Sequence, residues 1–169
     1  MVGAGRLRVL YTLSENGTFT LLHSFMGGTR DGCGPLGSVV QDEAGNFYGT
    51  TVYCGFNNQG TIWKMTKAGK ETILHNFAGG TSDGCQPQAG VTRDPKGNLY
   101  GVTDCGGAYG QGTLYKLSAN GVLTVLHSFT VSEGFIPIGE VLRIANGTIF
   151  GTTFMGGAYE GGTVWQYVP

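Results

Sequence analysis

The sequence predicts an all-β protein built from three copies of one unit of four short antiparallel strands. Three observations carry this expectation. The chain repeats itself, each copy contains runs of alternating apolar and polar residues split by hairpin turns, and 32 of 169 residues are glycine. Average proteins contain about 7 % glycine, and a glycine inside a helix costs about 1 kcal/mol against alanine, so long helices are disfavoured. The five prolines are too few for collagen, and a normal apolar share with a net charge of −1 argues against a disordered tail.

The repeat runs through the whole chain. Residues 61–112 align with 113–162, residues 9–60 form an earlier copy, and residues 163–169 begin another. The offsets are 52, 52 and 50, the last copy being shorter between Phe129 and Gly134. Equivalent sets include His23, His75 and His127; Phe25, Phe77 and Phe129; Pro35, Pro87 and Pro137; and Gly49, Gly101 and Gly151.

The middle copy shows how each element is expected. Residues 90–93 form a first strand, and Asp94-Pro95-Lys96-Gly97 a tight turn. Residues 98–103 form a second strand, followed by a glycine-rich loop over 104–112. Residues 113–117 form the third, Ala119-Asn120-Gly121 turn the chain, and 123–129 form the fourth. Asn-Gly and Lys-Gly between alternating runs are hairpin signals. In the fourth strand Leu123, Val125, His127 and Phe129 alternate with Thr124, Leu126 and Ser128. The same logic predicts strands at 9–13 and 18–25 and a final third strand at 163–168, thirteen in all.

Four strands recurring every 50 residues or so are the signature of β-propeller blades. Propellers usually need about four to eight blades to close. Three blades leave two sheet edges open, and open edges invite pairing. The expectation is therefore half of a six-bladed ring closed by a second copy, or a stretch of a longer array. One strand is surplus to three blades.

The phrase Pro35…Asp42…Gly45-Asn46-Phe47-Tyr48-Gly49-Thr50-Thr51 recurs as Pro87…Asp94…Gly97-Asn98-Leu99-Tyr100-Gly101-Val102-Thr103. It resembles the bacterial GloVer tandem repeat of surface-anchored choice-of-anchor proteins, and more distantly is similar to NHL-type propeller blades. The resemblance spans nearly the whole chain. It implies export and many blades, and carries over no catalytic residue. The third copy departs from it, with Glu133 for the Asp and Thr148 for the Asn.

Cys33 and Cys85 are equivalent, while Cys54 and Cys105 lie one register apart. The third copy has Phe135 and Met155 there, so it lacks both cysteines together. Joint loss predicts disulfides Cys33–Cys54 and Cys85–Cys105, each closing a loop of about 20 residues worth about 3 kcal/mol. Such bridges belong outside the cytosol, at the cell surface, in the periplasm or secreted. Free buried thiols and a thiolate metal site are the alternatives, although no C-x-x-C pair is present.

His23, His75 and His127 lie in phase with apolar neighbours such as Leu21 and Phe25, which reads as buried histidines bonded to a neighbouring blade. Tyr11, Trp63, Tyr115 and Trp165 recur in third strands and read as sheet-to-sheet packing. Ligand candidates gather in the loops on the cysteine side. One set is Arg30 and Asp31, Ser82 and Asp83, and Glu133. The other is Asn57, Asn58 and Gln59, then Asp104, Tyr109 and Gln111, then Tyr159 and Glu160. Such residues hydrogen-bond sugar hydroxyls and stack on sugar rings, although Asp-Gly and Gly-Gly also simply make turns. Asp42 and Asp94 belong to hairpin turns at the opposite end and read as structural.

No basic block exists to bind nucleic acid, no apolar run is long enough for a membrane helix, and residues 1–8 lack a signal-like run. No nucleophile elbow, zinc-protease or phosphate-loop motif appears. The favoured reading is a non-catalytic exported binding or adhesion module without cofactor, its ligand a glycan or cell-envelope component. The alternatives are an enzyme with a site in the central channel, for which Ser38, Gln41, Thr92, Arg93, Glu140 and Arg143 are a thin supply, and a structural spacer.

Overall fold

The computed structural model describes residues 8–169; the signal-like run sought over 1–8 falls almost wholly outside them. The chain is all-β. β1 (Arg8–Leu13) and β2 (Phe19–Phe25) form a hairpin, followed by β3 (Gly32–Cys33), β4 (Val40–Gln41), β5 (Phe47–Thr51) and β6 (Tyr53–Cys54). Next come β7 (Thr61–Met65), β8 (Glu71–Asn76), β9 (Gly84–Cys85), β10 (Thr92–Arg93), β11 (Leu99–Thr103) and β12 (Cys105–Gly106). The chain ends with β13 (Thr113–Leu117), β14 (Leu123–Ser128), β15 (Leu142–Arg143), β16 (Ile149–Thr152) and β17 (Val164–Tyr167).

Six small antiparallel sheets result. Two have four strands, in the orders β4-β5-β7-β8 and β10-β11-β13-β14. One has three strands, β15-β16-β17, and one is the β1-β2 hairpin. The remaining two are short ladders, β3-β6 and β9-β12, which tie loops together. Setting aside those four ladder strands, the other elements are the thirteen the sequence predicts. The first strand of the middle sheet is shorter than expected, Thr92–Arg93. Before it the chain runs hard against its neighbour: a Cβ at Gly90 would fall on the backbone of Ser38. The innermost segments of the first and third sheets also touch, Ser38 N donating to Glu140 Oε1 at 3.0 Å. Among the described residues the sheets do not close into a barrel or ring.

In both four-stranded sheets an aspartate holds the turn between the first two strands. Asp42 accepts from the amides of Ala44 (3.0 Å) and Asn46 (2.8 Å) and from the Tyr48 hydroxyl (2.9 Å). Bonds from the Asn46 side chain and amide hold its carboxyl down at about 2 against the opposing effect of desolvation, with help from the Tyr48 hydroxyl. Asp94 repeats the arrangement with Asn98 (2.9 Å) and Tyr100 (3.1 Å). The third copy does not follow the sequence reading here. Ile144 occupies this turn position, its backbone alone bonding to Thr148 and Gly147, whereas Glu133 takes the place of Asp31 and Asp83.

The core lies between successive sheets and is built from one repeated contact. Phe25, Phe77 and Phe129 close the outermost strands of their sheets and pack on the third-strand aromatic of the next sheet. Ring centroids are 5.6 Å apart for Phe25–Trp63, 5.3 Å for Phe77–Tyr115 and 5.2 Å for Phe129–Trp165. Each aromatic in turn lies over a glycine directly across the ladder: Gly49 faces Trp63, Gly101 faces Tyr115 and Gly151 faces Trp165. A Cβ at Gly49 would stand 2.5 Å from Trp63 Cζ2, and the equivalent spaces at Gly101 and Gly151 are likewise filled. The sequence reading of these aromatics as packing residues holds for Trp63 and Tyr115, which are fully buried; Tyr11 is half exposed.

A bulge recurs just before Tyr11, Trp63 and Tyr115. The register slips between Leu10 and Tyr11, Ile62 and Trp63, and Leu114 and Tyr115, leaving Leu22, Leu74 and Leu126 as the extra residues. A bulge reverses the alternation of faces. His127 therefore pairs with Leu114 while Val125 pairs with Tyr115, and the two point to opposite sides. The expected phase of Leu21 with His23 fails for this reason, whereas His23 and Phe25 remain together, their rings edge to face at 4.7 Å.

This packing makes two predictions for urea unfolding. Phe77→Ala should lower stability by about 3–5 kcal/mol through lost burial and a cavity. Gly101→Ala should cost about 1–3 kcal/mol by driving a methyl into the Tyr115 ring. Loss below about 1 kcal/mol in both would contradict the packing account.

Candidate functional site

One end of the sheets carries the loops that join fourth strands to the next sheet and second strands to third. The short ladders bind these loops in pairs. Gly32 pairs with Cys54 and Cys33 with Tyr53; Gly84 pairs with Gly106 and Cys85 with Cys105. Disulfides Cys33–Cys54 and Cys85–Cys105 span Cα distances of 5.4 and 5.1 Å, the pairing the sequence predicts, and no described cysteine is free. The third copy keeps the ladder without the bridge, as a lone pairing of Phe135 with Met155. Cys54 takes the place of Gly106 and Gly156 and adopts their left-handed conformation, with φ of 65°. That substitution explains the shift in cysteine register between copies.

His75 and His127 bond to acids of their own loops, which corrects the expected bond to a neighbouring blade, whereas His23 bonds its loop acid and also meets Glu71 of the next sheet. His23 Nε2 lies 3.3 Å from Asp31, His75 Nε2 3.2 Å from Asp83 and His127 Nε2 3.3 Å from Glu133. The acids also hold the turn. Asp31 accepts from Met26 N at 2.7 Å, Asp83 from Ala78 N at 2.9 Å and Glu133 from Thr130 N at 3.2 Å. A bond from the Thr130 hydroxyl at 2.8 Å leads in holding the Glu133 carboxyl low, against partial burial and with help from His127. Asp31, Asp83 and Glu133 thus spend their oxygens largely on the protein. The recurrence of an acid eight residues after His23 and His75, and six after His127, was the sequence signal for these pairs.

The first pair alone has a third member. Glu71 Oε2 reaches to within 3.5 Å of His23 Nε2 from the next sheet. Burial first, and the Asp31 carboxylate second, push the Glu71 carboxyl up to about 8. Sequence reasoning passed over this residue because its counterpart in the following copy is the ordinary apolar Leu123.

The other candidates divide by exposure. Arg30, Asn57, Asn58, Ser82, Tyr109, Tyr159 and Glu160 are exposed, with Tyr159 97 % accessible. Asn58 and Glu160 occupy left-handed turn positions, φ 56° each, matching Gly110 of the middle copy. Asn58 Oδ1 accepts from Cys54 N at 3.2 Å, and Asn57 Nδ2 donates to Phe77 O at 3.2 Å. Gln59 and Gln111 are partly buried, and their carbonyls accept from Gln86 N (2.8 Å) and Ile136 N (3.2 Å) in the adjoining loop. Asp104 is half-buried, its carboxyl raised by that burial although Gln88 donates to it at 2.7 Å.

Two cavities meet these residues. A shallow groove of about 400 Å³ runs past Tyr109, His127, Ser128, Thr130 and Glu133, and a second of about 210 Å³ lies across the same His127–Glu133 pair, beside Trp165. The structure therefore brings Tyr109 and Glu133 to one groove. Phe56 is a further exposed aromatic at a loop tip, one position before the equivalent of Tyr109 and Tyr159. Sequence reasoning also left out a groove of about 250 Å³ at the hairpin-turn end, where Lys64, Arg93 and Lys96 surround Tyr48. There the Arg93 guanidinium and Lys64 ammonium sit 5.7 and 5.5 Å from the Tyr48 ring centre. Lys64 and Lys96 are scattered in sequence, which hid them, while Arg93, read from the sequence as a central-channel candidate, stands beside them here.

Two measurements check this chemistry. Native protein should show no thiol reactive to Ellman's reagent, and non-reducing peptide mapping should recover Cys33–Cys54 and Cys85–Cys105; reactive thiols would contradict the pairing. The second concerns pH. A carboxyl raised in the folded state contributes fully below its ordinary value of 4.5, and that stability drains away as pH climbs to about 8. In chelator, wild type should lose stability across that window relative to Glu71→Gln, and parallel curves would refute the raised carboxyl.

A search of curated proteins found no match. The chain does match the family described as the Gloeobacter/Verrucomicrobia repeat, over residues 3–169. The chain belongs to the Gloeobacter/Verrucomicrobia repeat family.

Proposed function

We propose that the chain is a non-catalytic, exported binding or adhesion module whose sheets are blades of a β-propeller, with the disulfide-bearing loops as its ligand face. One observation carries this reading: each copy lifts an exposed aromatic ring at the same loop tip, Phe56, Tyr109 and Tyr159, beside amide or carboxylate side chains. An aromatic face with neighbouring hydrogen-bonding groups suits the apolar face and hydroxyls of a sugar. Shallow sites repeated on one rigid face gain by avidity rather than by individual strength. Arg30, Ser82, Asp104 and Gln111 belong to the same proposal as flanking polar groups, with Tyr109 and the groove beside Glu133 as its centre. The two disulfides fit an oxidising location such as the periplasm, the cell surface or the external medium. No helix among the described residues is long and apolar enough to cross a membrane.

The open edges bear on assembly. The last sheet has three strands where its predecessors have four, and its β17 edge carries Val164 at 81 % exposure. Pairing of that edge with another copy would continue the blade series, as in a six-bladed ring of two chains.

Glycan-array binding should appear for wild type and fall by about tenfold or more, one to two kcal/mol of stacking per ring, in Tyr109→Ala combined with Tyr159→Ala. Absence of array hits together with no envelope component in pull-down would overturn the binding reading. Light scattering should give twice the chain mass of 17.7 kDa, and a monomer would refute the two-chain ring.

A further inference from the structure

His23, Asp31 and Glu71 form a cluster distinct from the loop-tip aromatics and independent of the proposal above. Nε2 of His23, a carboxylate oxygen of Asp31 and one of Glu71 all lie within 4.8 Å of one another. The measured separations are 3.3 Å from His23 to Asp31 and 3.5 Å from His23 to Glu71. Ligands placed tetrahedrally at a zinc bond length of about 2.0–2.1 Å stand about 3.3 Å apart. The two distances from His23 are thus already near the spacing a tetrahedral ion requires.

The histidine–acid distance alone does not mark a site, because the other two pairs share it. The third donor does. In the middle copy the place of Glu71 is held by Leu123, which packs on the apolar core, and His75 faces only Asp83. Glu71 instead puts a carboxylate into the same interface between sheets, with its side chain only 12 % exposed. Its second oxygen, Oε1, is buried and has no hydrogen-bond partner. Among the described residues no lysine or arginine pairs with either carboxylate, and the only ion-pair partner of both is His23. Two acids converge on one imidazole at this partly buried point. The site is reachable, since His23 is 18 % exposed, and Asp31 is oriented by the amide of Met26 at 2.7 Å.

We propose that His23, Asp31 and Glu71 bind one divalent transition-metal ion of the zinc class, bridging the N-terminal hairpin to the first four-stranded sheet. One imidazole nitrogen and two carboxylate oxygens suit zinc and its first-row neighbours, whereas calcium prefers six or more oxygens. Three protein donors leave a fourth position for water. The ion acts as a clasp: the β1-β2 hairpin has no four-stranded sheet of its own, and the metal fixes it to its neighbour where the middle copy relies on Leu123.

Zinc titration by calorimetry tests this on chelator-stripped, thiol-negative protein. Wild type should bind one zinc per chain and gain thermal stability with it. Glu71→Leu, which installs the residue of the middle copy and so retains a foldable interface, should bind at least about a hundredfold more weakly. His75→Asn, altering the two-member pair, should leave zinc affinity unchanged, and calcium should not compete. No stoichiometric zinc binding by wild type, equal binding by Glu71→Leu, or loss of binding in His75→Asn would each overturn the proposal.

Discussion

The contact between an outer-strand phenylalanine and the third-strand aromatic of the next sheet is the interaction on which the rest depends. It joins sheets that share no strand hydrogen bonds. Phe77 and Tyr115 are both essentially inaccessible, and they stand among Ile62, Val91, Leu99 and Leu117 from two neighbouring sheets. Burying such side chains contributes about 1.5–3 kcal/mol each. The glycine across the ladder is what allows the ring to lie flat on its own sheet and leave a face for the incoming phenylalanine. The bulge before Tyr11, Trp63 and Tyr115 sends His and Phe to one side and the apolar residues preceding them to the other.

Everything at the loop end follows from that anchoring. The strand that carries the phenylalanine also carries the histidine two residues earlier, and the histidine holds the acid that closes the next loop. The loop is then pinned to its neighbour by a short ladder, with or without a disulfide. Phe135 and Met155 keep this ladder where cysteines are missing, so the bridges reinforce a geometry that the backbone already adopts. The result is a face of loops whose bases are rigid and whose tips, at Phe56, Tyr109 and Tyr159, are exposed. Rigid support beneath exposed rings is what a weak, repeated binding surface requires.

Much of the architecture was legible in the chain because it repeats. Strands at 113–117 and 98–103 follow from alternation and turn chemistry, and the disulfide pairing follows from the joint absence of both cysteines in the third copy. What was not legible depends on the third dimension. The bulge at Leu74 and Leu126 is silent in an alternating run, since either phase looks apolar, and it reversed the expected company of the histidines. The pairing of His with the loop acid spans eight residues that hold no regular element. Glu71 reads as one more polar residue at the start of a strand, and only the packing of β8 against the hairpin places it beside Asp31. The loop candidates were identified by residue type, and the structure separates those at exposed tips, such as Tyr109, from those committed to the scaffold, such as Asp31 and Asp83.

The central claim is that the aromatic contact couples neighbouring sheets energetically, and a double-mutant cycle on Phe77 and Tyr115 measures this most directly. With Phe77→Leu and Tyr115→Leu as the single variants, the account predicts a coupling of about 0.5–1.5 kcal/mol by urea unfolding. Additivity of the two substitutions within about 0.3 kcal/mol would contradict it.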